Sequence, residues 1–259
     1  MNDDAIAPLL DGARRIVTVC AGVQSGEQVA IVTDTARPPE IALALSQAVR
    51  ESGGVATICT TEPVPSGSEP PTIVTAALHA AQVILAPTTG ALYHTFAVQR
   101  ATRLGARFLG LTAFTPDVLV HGGVFADFPA LAWKADRLAA LLTNASEAYV
   151  TTPGGTNLRV RLDGRGAVSI TGMARKPGER TGCPDIEAFI APLEGSAQGI
   201  VVVDASASIA GVLEEPVTLR IEQGRAVSIE GGEGARLIRE ALEEADTRRS
   251  IPWPSSLSG

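Results

Sequence analysis

The chain has 259 residues and a formal net charge of −7 at pH 7, and 45% of its residues are hydrophobic while only 4% are aromatic. This length suffices for one large domain or two modest ones, each with its own buried core. Because the lysines and arginines form no cluster and no apolar run approaches the ~18 residues of a membrane span, we exclude nucleic-acid and membrane partners.

The first 146 residues alternate short apolar runs with helical patterns. Strands are predicted at residues 29–34, 55–60, 83–86 and 107–111, and helices at residues 5–20, 38–53, 72–79, 95–104 and 128–142. Pro38 and Pro39 open one helix and Gly53 ends it, which is the usual asymmetry of proline and glycine. Alternation at this spacing predicts a parallel sheet with helices on both faces. We therefore expect a Rossmann-like α/β domain at residues 1–146.

After Asn144 the helical periodicity disappears and short alternating stretches take over. Strands are predicted at residues 149–152, 158–162, 168–171, 187–190, 200–204, 217–221 and 226–230. Asp163 and Gln223, each followed by glycine, are turn signals that join two hairpins. An amphipathic helix is predicted at residues 231–246. We expect residues 147–259 to form an antiparallel β domain closed by this helix.

The three cysteines, Cys20, Cys59 and Cys183, are odd in number and far apart, so no disulfide framework is expected. Cys20 and Cys59 lie in apolar runs and are predicted to be small core residues. Cys183 lies in a turn rich in glycine and proline. It is either an exposed turn cysteine without chemistry or a nucleophile beside the cleft whose pKa is lowered by His94 or Arg180.

The candidate site is expected where the parallel strands end, because open α/β sheets bind ligands at the carboxyl ends of their strands. Four loops converge there in the prediction, with residue 34 and residues 60–62, 87–90 and 112–114. The richest loop carries the hydroxyls of Thr88 and Thr89, the phenol of Tyr93 and the imidazole of His94. Histidine takes and returns a proton near neutral pH. His94 is therefore an acid/base or substrate-contacting residue, or else a helix-start residue that hydrogen-bonds to the backbone.

Three further residues are candidates for the same cleft. His121 precedes two glycines and either contacts the substrate or caps a short helix. Cys183 and Glu187 lie close together in sequence, with Cys183 in the turn and Glu187 opening the next predicted strand. No GxGxxG follows the first strand, so dinucleotide binding is not expected, and the Walker, GxSxG and HExxH motifs are also absent.

Several segments occur in the order typical of one enzyme family. They are residues 81–95, 151–160, 182–192, 194–204, 215–225 and 231–233. With these segments the chain resembles the M29-type aminopeptidases and their relatives, the 2,5-dihydroxypyridine 5,6-dioxygenases. The resemblance implies that His94 is catalytic, because the dioxygenase branch uses a histidine at the matching position as a base on the substrate. Glu187 matches an acidic residue of the aminopeptidase branch that opens a strand facing the site, whereas the histidine that dioxygenases carry near Gly182 is missing here.

The resemblance also implies metal chemistry, since these enzymes activate water or dioxygen with bound zinc, manganese, cobalt or iron. In the family, the metal ligands lie in a further C-terminal region. Here the corresponding stretch, residues 248–259, has neither histidine nor carboxylate. We therefore expect a shortened family member with no stoichiometric metal and no cofactor.

Three functions stay open. The first is an enzyme that carries out hydrolytic or acid/base chemistry on a small amide or heteroaromatic substrate, with His94 as base and Glu187 and the threonine loop positioning the substrate. The second is a non-catalytic binding or assembly protein, and the third is a truncated remnant of a metallo-aminopeptidase or ring-cleaving dioxygenase. The acidic start of the chain lacks a signal-peptide pattern, so a cytoplasmic location is expected. A homo-oligomer is compatible with all three.

Overall fold

The computed structural model describes residues 3–249, and these divide by their contacts into two units. The first unit runs up to Ala139 and includes Val168–Ala188, and the second comprises Ala140–Ala167 and the chain from Phe189 onward. The sequence placed one boundary at residue 146, whereas the structure returns a central stretch to the first unit. Most of the stretch on which the expectation of a missing metal region rests, residues 250–259, lies outside the described residues.

The elements follow in chain order. The strands are β1 Gln28–Asp34, β2 Val55–Thr61, β3 Val83–Ala86, β4 Arg107–Gly110, β5 Glu147–Thr151, β6 Asn157–Arg161, β7 Val168–Ile170, β8 Arg180–Gly182, β9 Glu187–Phe189, β10 Gln198–Val203, β11 Ser206–Ala207, β12 Gly211–Val212, β13 Val217–Glu222 and β14 Arg225–Glu230. The α-helices are α1 Asp3–Ile6, α2 Leu10–Arg15, α3 Pro39–Glu51, α4 Thr72–Ala80, α5 Phe96–Arg103, α6 Phe128–Asn144 and α7 Gly232–Arg249. Between residues 3 and 249, none of the helices has the length and apolarity needed to cross a membrane.

The first unit is built on a parallel sheet with the strand order β2-β1-β3-β4-β8. Successive residues of a strand point to opposite faces, so one strand contributes to two cores. In β1, Ile31 packs in one apolar cluster with the N-terminal helical segment and α3, whereas Ala30 and Val32 pack in a second cluster with α4 and α5. The predicted parallel sheet with helices on both faces is confirmed.

The strand β8 is the one element of this sheet that the sequence did not reveal. It pairs in parallel with β4, with Phe108 opposite Arg180 and Gly110 opposite Gly182. Three residues between glycines and prolines carry no periodic signal, and only the pairing with β4 makes them a strand. The predicted turn before Cys183 therefore ends in the edge strand of the first unit's sheet.

The second unit contains an antiparallel sheet with the order β14-β13-β10-β6-β5, followed by α7. The hairpin between β13 and β14 turns at Gln223 and Gly224, whose φ angles are 49° and 75°. Two consecutive residues with positive φ are the geometry of a type I′ turn, which matches the twist of the flanking strands. The predicted antiparallel sheet with a closing helix is confirmed.

Candidate functional site

The strand order of the first unit reverses between β1 and β3, and hydrogen bonds at the carboxyl ends of the strands join four loops there. The N–H of Thr35 donates to the carbonyl of Thr61 over 2.9 Å, and the N–H of Ala113 donates to the carbonyl of Thr88 over 2.8 Å. Such a switch point is where open α/β sheets bind ligands. The predicted convergence of the four loops is therefore confirmed.

Asp34, the last residue of β1, holds the loop that follows β3. Its carboxylate is buried and accepts hydrogen bonds from the N–H of Thr89 at 2.5 Å and from the Thr89 hydroxyl at 2.8 Å. A third bond comes from the N–H of Ala36 at 3.1 Å. These bonds use both carboxylate oxygens, so Asp34 positions the loop. The sequence indicates Asp34 only as a strand end, because its partner Thr89 lies 55 residues away along the chain.

Arg37 adds a cationic group beside this loop cluster. One of its guanidinium nitrogens, Nη1, donates to the carbonyl of Phe114 over 3.4 Å. Its Nε is buried and has no hydrogen-bond partner among the described residues. A buried N–H without a partner loses its hydration and gains nothing in return, which costs about 1–3 kcal/mol. Arg37 therefore carries one buried donor without a partner beside the loop cluster.

The loop after β3 is also fixed at its centre by close packing on the loop after β2. A methyl group at Gly90 would lie 2.1 Å from the carbonyl oxygen of Val64, so only glycine allows this approach. The N–H of Ala91 donates to the Ser66 hydroxyl over 3.0 Å, and the N–H of Gly67 donates to the carbonyl of Ala91 over 2.8 Å. The loop is thus held at its start and at its centre before it reaches His94.

His94 is exposed, and its imidazole is not used to cap the helix that follows. The hydroxyl of Thr95 accepts from the N–H of Val98 at the start of α5, and the carboxylate of Glu69 accepts from the N–H groups of Phe96 and Ala97 at 2.6 and 3.0 Å. Free helix N–H groups are the usual partners of a capping side chain. The N–H groups of Phe96, Ala97 and Val98 thus have acceptors other than the imidazole of His94.

The imidazole of His94 instead contacts Tyr93, which in turn contacts Arg180. The two rings meet edge to face with their centroids 4.9 Å apart. The guanidinium carbon of Arg180 lies 4.8 Å from the centroid of the Tyr93 ring, within the range of a cation–π contact, and its Nη1 donates to the carbonyl of Tyr93 over 3.4 Å. Arg180 was weighed in the sequence only as a neighbour of Cys183, because nothing indicated a strand at that position.

The remaining predicted site residues are spread over the first unit. Thr88 is buried and its hydroxyl donates to the carbonyl of Gly90 over 2.8 Å, so it supports the loop. Glu187 is exposed at the start of β9, which pairs with β7 in a separate two-stranded sheet. His121 is exposed, with its Nε2 3.9 Å from the carboxylate of Asp117, and its side chain does not cap the turn that it precedes. Thr88, Thr89, Tyr93 and His94 thus share one loop, while Glu187 and His121 lie on other segments.

The interpretation of Cys183 as an exposed turn cysteine is wrong. Its side chain is 3% exposed, and its Sγ lies 3.7 Å from the Sγ of the equally buried Cys20. The hydrogen bond with Cys20 and the burial together raise the pKa of the Cys183 thiol well above its ordinary value. Since the thiolate is the nucleophile, this environment opposes nucleophilic chemistry at Cys183. The predicted burial of Cys20 is confirmed, and Cys59 is half-buried.

Comparisons with known proteins agree with this architecture. The family model described as NicX, 2,5-dihydroxypyridine 5,6-dioxygenase, matches residues 9–252. The solved structure of 2,5-dihydroxypyridine dioxygenase from Pseudomonas putida KT2440 is 21% identical with a TM-score of 0.77, and the match covers 93% of this chain and 73% of that one. Wild-type AmpT from Thermus thermophilus is 17% identical with a TM-score of 0.66, over 91% of this chain and 74% of that one. No curated protein matches the chain at a significant level.

Proposed function

Because the chain belongs to the 2,5-dihydroxypyridine 5,6-dioxygenase family, we propose that it is an enzyme that acts on a small heteroaromatic compound, with His94 as its acid/base residue. The observation that carries the proposal is the free imidazole of His94 at the end of a rigid loop. Thr95 and Glu69 cap the following helix in its place. An exposed imidazole without a structural task, next to a switch point, is suited to take a proton from a bound substrate.

The surroundings of His94 suit a planar hydroxylated ring. The phenol of Tyr93 provides an aromatic surface beside the imidazole, and aromatic rings favour edge-to-face and offset stacking with one another. Arg180, which lies over Tyr93, places a positive charge nearby. When a ring hydroxyl gives its proton to His94, the ring oxygen becomes an anion, and a neighbouring guanidinium stabilises that charge.

The family also implies a metal ion that activates water or dioxygen. Between residues 3 and 249, no three His, Cys, Asp or Glu side chains lie close enough together to share a metal ion. A catalytic metal site needs about three such protein ligands. The described residues therefore do not fit the implied metal, and the role proposed for His94 is to accept and return a proton. Elemental analysis of the purified protein measures its metal content directly.

The proposal is tested with 2,5-dihydroxypyridine as the probe. Ionisation of a hydroxypyridine changes its ultraviolet absorption, so difference spectra of the bound compound across pH report whether the ring has lost its proton. We expect the wild-type protein to bind the compound as the anion, with the ring proton held on His94, and His94→Ala to bind it in the neutral form. If the wild-type protein consumes the compound, the rate in His94→Ala should be lower by roughly two to four orders of magnitude, the range for loss of a positioned acid/base group.

Two controls make the result specific. His121→Ala removes an equally exposed imidazole elsewhere in the first unit and should match wild type in both assays. The melting temperature of His94→Ala should equal that of wild type, because Thr95 and Glu69 still cap α5. A His94→Ala variant with wild-type spectra and turnover would remove His94 from the mechanism. Hydrolysis of amino-acid 4-nitroanilides in place of ring turnover would assign amide chemistry, and tight binding without any turnover would assign a binding protein.

A further inference from the structure

A cavity of about 420 Å³ opens in the first unit, and the residues that line it are not those of the loop cluster at the switch point. Its walls come from α6, from β7 and the segment that follows it, and from the start of β8. This volume lies within the range of pockets that hold small organic ligands. None of the site residues discussed for the proposed function, apart from Arg180, lines it.

The cavity carries three cationic side chains, those of Arg175, Lys176 and Arg180. Its two carboxylates, Glu179 and Asp136, have other partners. Glu179 Oε2 accepts from the backbone N–H groups of Arg175 and Lys176 at 2.7 and 2.9 Å, and Asp136 accepts from the hydroxyl of Ser169 at 2.7 Å. Within the part of the chain that the structure describes, none of the three cations forms an ion pair. The two carboxylates keep their charge, so the lining carries three positive and two negative side chains and retains an excess of one positive charge.

The same contacts hold the cations in place. Glu179 closes the turn from Arg175 to Glu179 through the backbone, so the two side chains at its start project from a fixed main chain. Arg180 is held by the ring and the carbonyl of Tyr93, neither of which neutralises its charge. The three cations outnumber the two carboxylates of the lining, and this excess positive charge attracts an anion placed among them. Guanidinium groups also match carboxylate and phosphate oxygens in geometry.

We propose that this cavity binds a small organic anion that carries a carboxylate or phosphate group. Met173 and Ala132 supply apolar wall next to the cations, which suits a ligand with a carbon skeleton. The inference goes beyond the proposed function and does not depend on the role of His94. It defines a second place on the first unit where a small molecule is recognised, connected to the His94 loop through the contact of Arg180 with Tyr93.

The chain offers a direct probe of this cavity, because Met173 lines it and the other methionine of the sequence is the first residue, Met1. In protein labelled with ¹³C-methyl methionine, the NMR signal of Met173 is identified by its loss in Met173→Leu. Titration with benzoate, phenyl phosphate or inorganic phosphate should shift this signal. Benzyl alcohol, a neutral compound of similar size to benzoate, should leave it unmoved. The two organic anions distinguish a carboxylate ligand from a phosphate ligand, and tighter binding of inorganic phosphate than of phenyl phosphate would refute an organic anion.

The variants Arg175→Gln and Lys176→Gln should each weaken binding of the preferred anion about tenfold, as loss of a charge-assisted hydrogen bond does. Arg50→Gln removes the same charge from α3, outside the cavity, and should bind like wild type. His94→Ala should also bind the anion like wild type. The anion site and the proposed role of His94 can therefore be refuted independently of each other. Equal affinities in Arg175→Gln, Lys176→Gln and wild type, equal binding of benzyl alcohol, or no shift with any anion would overturn the proposal.

Discussion

The sheets of the two units differ in what they bury. All four residues of β3 in the first unit are buried, whereas β14 in the second unit has no buried residue. A parallel sheet covered by helices on both faces consists of nearly continuous apolar strands, while an antiparallel sheet commonly exposes one face. The loops of the candidate site lie at the strand ends of the first unit, where a sheet packed on both faces holds them in place.

The largest expected effect is the loss of unfolding free energy when a hydrophobic side chain is truncated in the first unit's sheet, compared with the same change in the second unit's sheet. Leu85 in β3 is 0% exposed, whereas Ile200 in β10 is 41% exposed. Leu85→Ala should lower the free energy of unfolding by about 2–5 kcal/mol, since it removes buried methyl groups and leaves a cavity. Ile200→Ala should cost about 1 kcal/mol or less because its side chain already contacts water. Urea titrations measure both, and equal losses would contradict the contrast between the sheets.

The second prediction compares a largely buried ion pair with a solvent-exposed one. In the first unit, Arg107 donates to Glu27 over 2.6 Å, and the two side chains are 8% and 17% exposed. Burial raises the pKa of Glu27, but hydrogen bonds from Arg107 and from the N–H of Gln24 outweigh it and hold the pKa below its usual value of 4.5. In the second unit, the hydrogen bond from Arg159 lowers the pKa of Glu147, and this pair is exposed to solvent.

A lowered carboxylate pKa stabilises the fold above pH 4.5, and this contribution is lost as the pH falls through the folded-state pKa. Glu27→Gln should therefore lower the free energy of unfolding at pH 7 by about 3 kcal/mol, because it leaves the buried Arg107 without a counterion. The free energy of unfolding of this variant should also fall less steeply than that of wild type as the pH is lowered. Glu147→Gln should follow the wild-type curve, since water and salt screen an exposed pair. Melting temperatures from pH 3 to pH 7 provide the comparison, and identical curves for Glu27→Gln and wild type would refute it.

The third and smallest effect compares two glycines. Gly90 in the first unit packs against the carbonyl of Val64, whereas a methyl group at Gly166 in the second unit would meet no atom within 4 Å. Gly90→Ala should cost about 1–3 kcal/mol through overpacking and should also reduce turnover, because the loop that carries His94 moves. Gly166→Ala should leave the melting temperature and turnover unchanged. A Gly90→Ala variant with wild-type stability would show that this loop is not tightly packed.

Much of the first unit can be predicted from the sequence because its strands are short apolar runs between helices. The predicted bounds of β3 are the observed ones, and those of β1, β2 and β4 differ by a single residue. The location of the candidate site follows from the same pattern, since the loop with Thr89 and His94 begins where β3 ends. Local periodicity is thus sufficient to predict a strand where the elements that bury it are its neighbours in sequence.

The parts that the sequence did not reveal depend on partners distant along the chain. Arg180 belongs to a strand only through its pairing with Phe108, and Asp34 supports the site only through Thr89. Cys183 is buried because it follows this edge strand and packs against Cys20. None of these pairings leaves a periodic trace in the local sequence, so they are visible only once the chain is folded.

The return of residues 168–188 to the first unit has a consequence for the order in which the protein is made. The chain crosses between the units three times, so neither unit is one continuous segment. During synthesis, β4 leaves the ribosome long before its neighbour β8, and until then its outer edge presents unpaired N–H and C=O groups. A nascent chain that ends near residue 146 is therefore incomplete in its central sheet, and such intermediates are the ones that associate with one another or require a chaperone.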